Sequence, residues 1–129
     1  MENLFIPATP SSPEVNFRFD EHLLSLKGES YPENAAAFYG HVIAALRQYL
    51  QQTQYPATIT LNVALVYFNS SSTKMLFALF GALDEKAKTG VSIVLNWHHD
   101  VEDDTIFEFG QELRDDFSNL QFHDQSHQH

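Results

Sequence analysis

The sequence has no cysteine. That excludes a disulfide framework and a thiolate zinc site, and it fits a cytoplasmic protein. No apolar run reaches the length that spans a bilayer, and Met1-Glu2-Asn3 does not open a signal peptide. Several catalytic signatures are missing too. There is no Gly-x-Ser-x-Gly, no Gly-rich phosphate loop, no Walker lysine motif and no His-Glu-x-x-His. Internal repeats and low-complexity blocks are absent.

Basic residues are scarce: seven Lys and Arg stand against seventeen Asp and Glu, a net charge of −10. A polyanionic partner is therefore disfavoured, which argues against nucleic acid and against insertion into an anionic membrane. The charge is uneven. From Asp100 onward there are nine acids and one base, Arg114. This region reads as a solvated acidic helix face with a tail, or as a surface for a basic patch on a partner protein.

What remains is enough for one domain. The chain has 129 residues, 43% hydrophobic, with eleven Phe, which supports one real core. Residues 1–14 hold three prolines and read as an extended arm, with Leu4 to Ile6 as a short edge strand. Val15, Phe17 and Phe19 alternate with polar residues, Asp20-Glu21 turns, and Leu24 and Leu26 resume the alternation: a hairpin closed by Gly28. Ser30 is the expected N-cap of a first helix, with Pro32 in its first turn and Glu33 at the capping-box position. Its apolar stripe is Ala35, Phe38, Tyr39, Val42, Ile43, Leu46, Tyr49 and Leu50.

Thr58 to Phe68 reads as the central strand. Ile59, Leu61, Val63, Leu65 and Tyr67 form one face, and Ala64, Val66 and Phe68 fill the second towards its end. Met75, Leu76, Leu79, Phe80 and Leu83 follow at helical spacing, and Thr89-Gly90 ends that helix. Val91 to Trp97 is a further strand, which His98-His99-Asp100 leaves. A third helix starts near Asp103 or Asp104, on Ile106, Phe107, Phe109, Gly110, Leu113 and Phe117. A short strand near Leu120 to Phe122 precedes a flexible tail, residues 123–129. The fold class is α/β: one mixed sheet, an N-terminal hairpin, then alternating helix and strand.

Between the central strand and the second helix stands Asn69-Ser70-Ser71-Ser72-Thr73-Lys74. Each of these side-chain oxygens is able to accept from a free N–H of a first helical turn. Plain capping accounts for the composition. So does a phosphoacceptor, because the positive end of a helix holds an anion without unfolding, and Lys74 lies one turn in.

Three spaced motifs resemble one family. They are the strand-Asn69-Ser70-Ser71-Ser72-x-Lys74 turn, Ser30-Tyr31-Pro32-Glu33-Asn34 before the first helix, and the strand end Trp97-His98-His99-Asp100. Together with element order and length they are similar to the SiaC-type regulatory phosphoproteins, bacterial relatives of the anti-sigma factor antagonist (STAS) domain. The resemblance implies a single STAS-like domain that is a switch and not an enzyme, with no cofactor. In that family a Ser/Thr protein kinase adds phosphate and a PP2C-like phosphatase removes it. The unphosphorylated form binds and activates a diguanylate cyclase in c-di-GMP signalling and biofilm formation.

The family's acceptor aligns with Ser70, where its best-known members carry Thr. Asn69, Ser71, Ser72 and Lys74, with Tyr31, Pro32, Glu33 and Asn34, make the implied phosphate and partner surface. General STAS domains carry Asp-Ser-Ser-Gly at this turn. Asn69 and Ser72 depart from it, which separates the chain from sigma-factor control itself.

Three other readings fit the same stretches: an anti-sigma factor antagonist, a small-ligand domain, and a serine hydrolase using His98 or His99 as base. Adjacent strand residues point to opposite faces, so His98 and His99 make a poor chelate. His123, Asp124, His127 and His129 offer weak metal donors, and no metal site is expected.

Overall fold

The computed structural model describes residues 1–128. The elements run β1 (Leu4–Ile6), β2 (Glu14–Arg18), a short 3-10 turn at Phe19–Glu21, β3 (Leu23–Ser30), α1 (Ala35–Gln52), β4 (Thr58–Phe68), α2 (Ser70–Ala87), β5 (Ser92–Asp100), α3 (Asp104–Asp116) and β6 (Gln121–His127). The six strands form one sheet in the order β1-β2-β3-β4-β5-β6. The first two pairings are antiparallel and the last three parallel.

This order decides where the helices go. Each of α1, α2 and α3 joins adjacent parallel strands, and such crossovers are right-handed almost without exception. Three in sequence along one direction put all three helices on the same face. The residues agree. Phe17, Leu24, Leu61, Leu95 and Phe122 lie in one row across five strands, and the first four are buried. The adjacent row on the other face is Asn16, Ser25, Asn62, Asn96 and His123, all polar, and none is buried. The fold is therefore two layers with one open, polar sheet face.

The helices form where the apolar spacing requires. Ala35, Tyr39, Val42, Ile43, Leu46, Tyr49 and Leu50 of α1 are buried, as are Leu76, Leu79, Phe80 and Leu83 of α2. Each fully buried Leu or Phe contributes about 2 kcal/mol. On α3 the sheet-facing side is narrower: Ile106, Gly110 and Leu113 are buried and Phe107 is exposed. The Trp97 indole donates to the Ile106 carbonyl at 2.8 Å and stacks on Phe109.

Several expectations are corrected. The cap of α1 is Asn34, whose Oδ1 accepts from the Ala37 N–H at 3.0 Å. Ser30 ends β3, opposite Phe68, so Pro32 and Glu33 lie in the loop before the helix. β4 is interior, between β3 and β5, but its second face is not filled. Gly28 pairs with Leu65 and Glu29 with Tyr67, which makes Val66 an extra residue, a bulge. The bulge flips the alternation. Val66 and Tyr67 emerge to solvent, 66% and 49% exposed, while Phe68 returns towards the core against Trp97 and Phe109.

His98, His99 and Asp100 do not leave β5; they are its last residues. Residues 123–127, expected as flexible tail, belong to β6 and pair with β5. Phe122 is its only apolar side chain, so hydropathy alone carried little strand signal. The N-terminal arm is also tied down. β1 pairs with β2, and the Ser11 carbonyl accepts from the Tyr31 N–H at 2.7 Å.

Candidate functional site

β3 and β4 are parallel neighbours, so their carboxyl ends deliver two loops to the same place. One is Tyr31-Pro32-Glu33-Asn34, the other Asn69 and the first turn of α2. The Asn69 N–H donates to the Ser30 carbonyl at 3.1 Å, which joins the two loops directly. The sequence motifs around Ser30 and Ser70, about forty residues apart, thus form one surface.

Asn69 is the N-cap of α2, and its Oδ1 accepts from the Ser72 N–H at 2.9 Å. The N–H groups of Ser70 and Ser71 are the first-turn donors that this cap leaves open. The four hydroxyls of the turn differ sharply. Ser70 and Ser71 are exposed. Thr73 is part-buried, and its Oγ1 donates to the Asn69 carbonyl at 3.0 Å. Ser72 is fully buried, and its Oγ donates to the Ser30 carbonyl at 3.0 Å. Ser72, expected on the surface, therefore lies beneath it. Lys74 is exposed and sits four residues after Ser70, on the same side of the helix.

Sequence reasoning missed two residues of this surface. Strand alternation places Val66 and Tyr67 in the sheet interior, yet the bulge presents both. Tyr31 is 40% exposed and meets Tyr67 edge to face, with ring centroids 5.8 Å apart. The result is a small aromatic and aliphatic rim beside the serine turn. Six consecutive apolar residues, Val63 to Phe68, break strand alternation. That break was the available signal, and the register shift answers it between Gly28 and Glu29 on β3.

The histidines lie elsewhere on the same end of the sheet. His98 points to the open face, where it bonds His127 at 2.8 Å and Asn62 at 3.2 Å. Burial and the neighbouring His127 hold its pKa below the usual imidazole value. His99 points to the helix face. Its Nε2 meets Asp124 at 2.9 Å and its Nδ1 the Asp100 carbonyl at 2.9 Å. Burial alone would lower the His99 pKa. The Asp124 hydrogen bond, the Asp100 carbonyl and the charges of Asp124 and Asp103 outweigh it, and the pKa rises.

Neither imidazole is hydrogen-bonded to Ser70, Ser71 or Ser72: the partners of His98 are His127 and Asn62, and those of His99 are Asp124 and the Asp100 carbonyl. Among the described residues, no group of three or more His, Asp or Glu is arranged to hold a metal ion; the expected donor His129 lies outside them. A cavity of about 740 Å³ opens between the carboxyl ends of β4 and β5 and the start of α3. Val66 and Ile106 contribute apolar surface to it, and Asp100, Glu102, Asp103 and Asp104 an acidic side. Among the described residues, no helix is long and apolar enough to cross a membrane.

A single two-layer domain with a capped hydroxyl turn between a central strand and a helix is an α/β protein of the STAS-like kind. The chain belongs to the SiaC family of regulatory phosphoproteins, whose sequence model matches residues 6–127. A protein of Pseudomonas aeruginosa strain UCBPP-PA14 is 34% identical over 128 residues, 97% of this chain and 100% of its own length. Among solved structures, one similar chain comes from the complex of the diguanylate cyclase SiaD with its activator SiaC, from Pseudomonas aeruginosa. That chain superposes with a TM-score of 0.89 at 33% identity, covering 96% of this chain and 99% of the other. Apo-SiaC from the same organism matches with a TM-score of 0.87 at 32% identity, over 97% of this chain and 99% of that one.

Proposed function

We propose that this protein is a non-enzymatic phospho-switch whose unphosphorylated form binds and activates a diguanylate cyclase in the cytoplasm. Ser70 is the phosphoacceptor. A Ser/Thr protein kinase modifies it and a PP2C-like phosphatase resets it, coupling the switch to c-di-GMP signalling and biofilm formation.

One observation carries the reading. Ser70 is an exposed hydroxyl directly after the cap Asn69, at a helix N-terminus, beside the apolar rim of Tyr31, Val66 and Tyr67. The rim and the small hydroxyls suit a packed protein interface. A phosphate on Ser70 meets the open N–H groups of the first turn, and Lys74 lies one turn away, so the folded domain tolerates it. The same phosphate places about two negative charges in a surface that a partner must desolvate, which costs several kcal/mol. Modification thus changes the surface more than the fold. The likeness to a SiaC chain in complex with the cyclase SiaD supports the choice of partner.

The test combines the protein with the cognate kinase and ATP, maps phosphate by peptide mass spectrometry, and assays cyclase activation. Phosphate on Ser70 and loss of activation are expected. Ser70→Ala resists the kinase and still activates; Ser70→Asp folds and binds more weakly. Phosphate found only outside residues 70–73, or full activation by the Ser70-phosphorylated form, would sink the reading.

A further inference from the structure

Behind the exposed serines runs a chain of buried hydroxyls whose proton order the geometry fixes. The Ser72 Oγ–H donates to the Ser30 carbonyl at 3.0 Å. The Ser30 Oγ–H donates to Ser72 Oγ at 2.8 Å. Each serine hydroxyl has one proton, so both are now used. The contact of 2.5 Å between Ser30 Oγ and Tyr39 Oη must therefore have Tyr39 as donor. The order is Tyr39 to Ser30 Oγ, Ser30 to Ser72 Oγ, and Ser72 to the Ser30 carbonyl. All three residues are 0% exposed. Burial pushes the Tyr39 phenol up, against the lowering influence of Ser30 and Ser72, so the phenol keeps its proton and the chain its direction.

Three elements meet in this chain: Tyr39 from α1, Ser30 at the end of β3, and Ser72 in the first turn of α2. Water cannot replace a lost partner there, so each link that is cut leaves a buried donor or acceptor unsatisfied. The Ser30 carbonyl also takes the Asn69 N–H, and the chain is thereby fastened to the cap itself. Rotating the first turn of α2 to bring Ser72 outward would break both links that Ser72 makes, to Ser30 Oγ and to the Ser30 carbonyl. The turn has one stable setting, with Ser70 and Ser71 out and Ser72 in.

We propose that the Tyr39–Ser30–Ser72 hydroxyl chain is a selectivity device. It positions the first turn of α2 so that Ser70 is presented for modification, and it locks the Tyr31–Asn34 loop to that turn as one docking surface. Ser72 and Tyr39 are positioning residues that never touch the phosphate. The proposal rests on the phospho-switch reading for its kinase arm and is independent of it for its exchange arm.

The experiment compares the wild type with Ser72→Ala and Tyr39→Phe. Incubated with the cognate kinase and ATP, the wild type is expected to carry phosphate on Ser70. Ser72→Ala is expected to be modified about tenfold more slowly, with phosphate spread to Ser71, because misplacing a reacting group is costly in rate. Tyr39→Phe shifts in the same direction by less, since the ring stays and only the first donor is lost. In the kinase-free arm, amide exchange at Tyr31 and Asn69 is expected to accelerate at least tenfold in Ser72→Ala, while the amides of β5 keep their rates. No phosphate on the wild type within residues 70–73 defeats the phospho-switch reading and leaves the exchange arm to decide this one. Wild-type rate, site and exchange in both variants would overturn the proposal. So would uniform acceleration that includes β5, which marks plain destabilisation. If Ser72→Ala does not fold, Tyr39→Phe alone carries the same comparison.

Discussion

The Nε2 of His99 lies 2.9 Å from one carboxylate oxygen of Asp124 and 3.0 Å from the other. The pair fastens β6 to β5 on the helix face, where the His99 side chain is 4% exposed and Asp124 31%. With Nδ1 facing the Asp100 carbonyl, both ring nitrogens meet acceptors, which favours the charged imidazolium. The folded-state pKa is raised, so the stability this pair adds is fully present below the unfolded value of about 6.5. It is lost as pH rises through the raised folded value.

Asp124→Asn should therefore lower the His99 titration midpoint in an NMR titration. It should cost about 1–3 kcal/mol of stability near pH 6, and less once the pH passes the wild-type midpoint. An unmoved midpoint would show that Asp124 does not set the charge of His99.

The bulge in β4 makes a paired prediction. Val63 is 0% exposed and Val66 is 66% exposed, three residues apart on one strand. Val63→Asp should cost more than about 4 kcal/mol or abolish folding, because it buries a charge without a partner. Val66→Asp should stay within about 0.5 kcal/mol in stability while, under the proposed function, weakening binding to the cyclase. Urea denaturation and a binding titration separate the two effects.

Gly110 should not tolerate a side chain. A Cβ there would stand 2.5 Å from Cδ1 and 2.6 Å from Nε1 of Trp97, whose ring is fixed by its bond to Ile106. Gly110→Ala should destabilise by about 1–3 kcal/mol through overpacking, with a changed tryptophan emission. An unaltered melting temperature would mean that α3 slides freely on β5.

The acidic start of α3 should steer association. Asp103→Asn keeps the cap on the Ile106 N–H while removing a charge, so it can be combined with Asp104→Asn and Glu108→Gln without unravelling the helix. If this face meets a basic patch, the triple variant should associate more slowly and with a flatter salt dependence. An unchanged on-rate at low and high salt would leave the acids as a solvated face.

Much of the fold was legible because its causes are local. The α1 stripe from Ala35 to Leu50 follows a period set by one helical turn. The span of β4 follows from alternation bounded by Pro56 and Asn69. The start of α3 follows from a capping Asp103 before an apolar series. The hydroxyl turn was legible for the same reason: Asn69 and the serines are capping residues that end a strand and begin a helix.

The departures share a different origin. Gln121 to His127 has too little hydrophobicity to declare a strand, and β6 exists because the edge of β5 offers backbone partners. Val66 and Tyr67 look like core until the register against Gly28 inserts an extra residue and turns them outward. Ser30 has the chemistry of a cap, but pairing with β4 extends β3 to that point and leaves the cap to Asn34. The sequence by itself determined most of the elements, the single domain and the hydroxyl turn, because periodicity and capping act within a few residues. Tertiary structure alone decided which serine is buried, which tyrosine reaches Ser30 and which apolar residues are turned out to solvent. Those depend on groups from different elements, Ser30 and Ser72 forty-two residues apart among them, meeting where water is excluded.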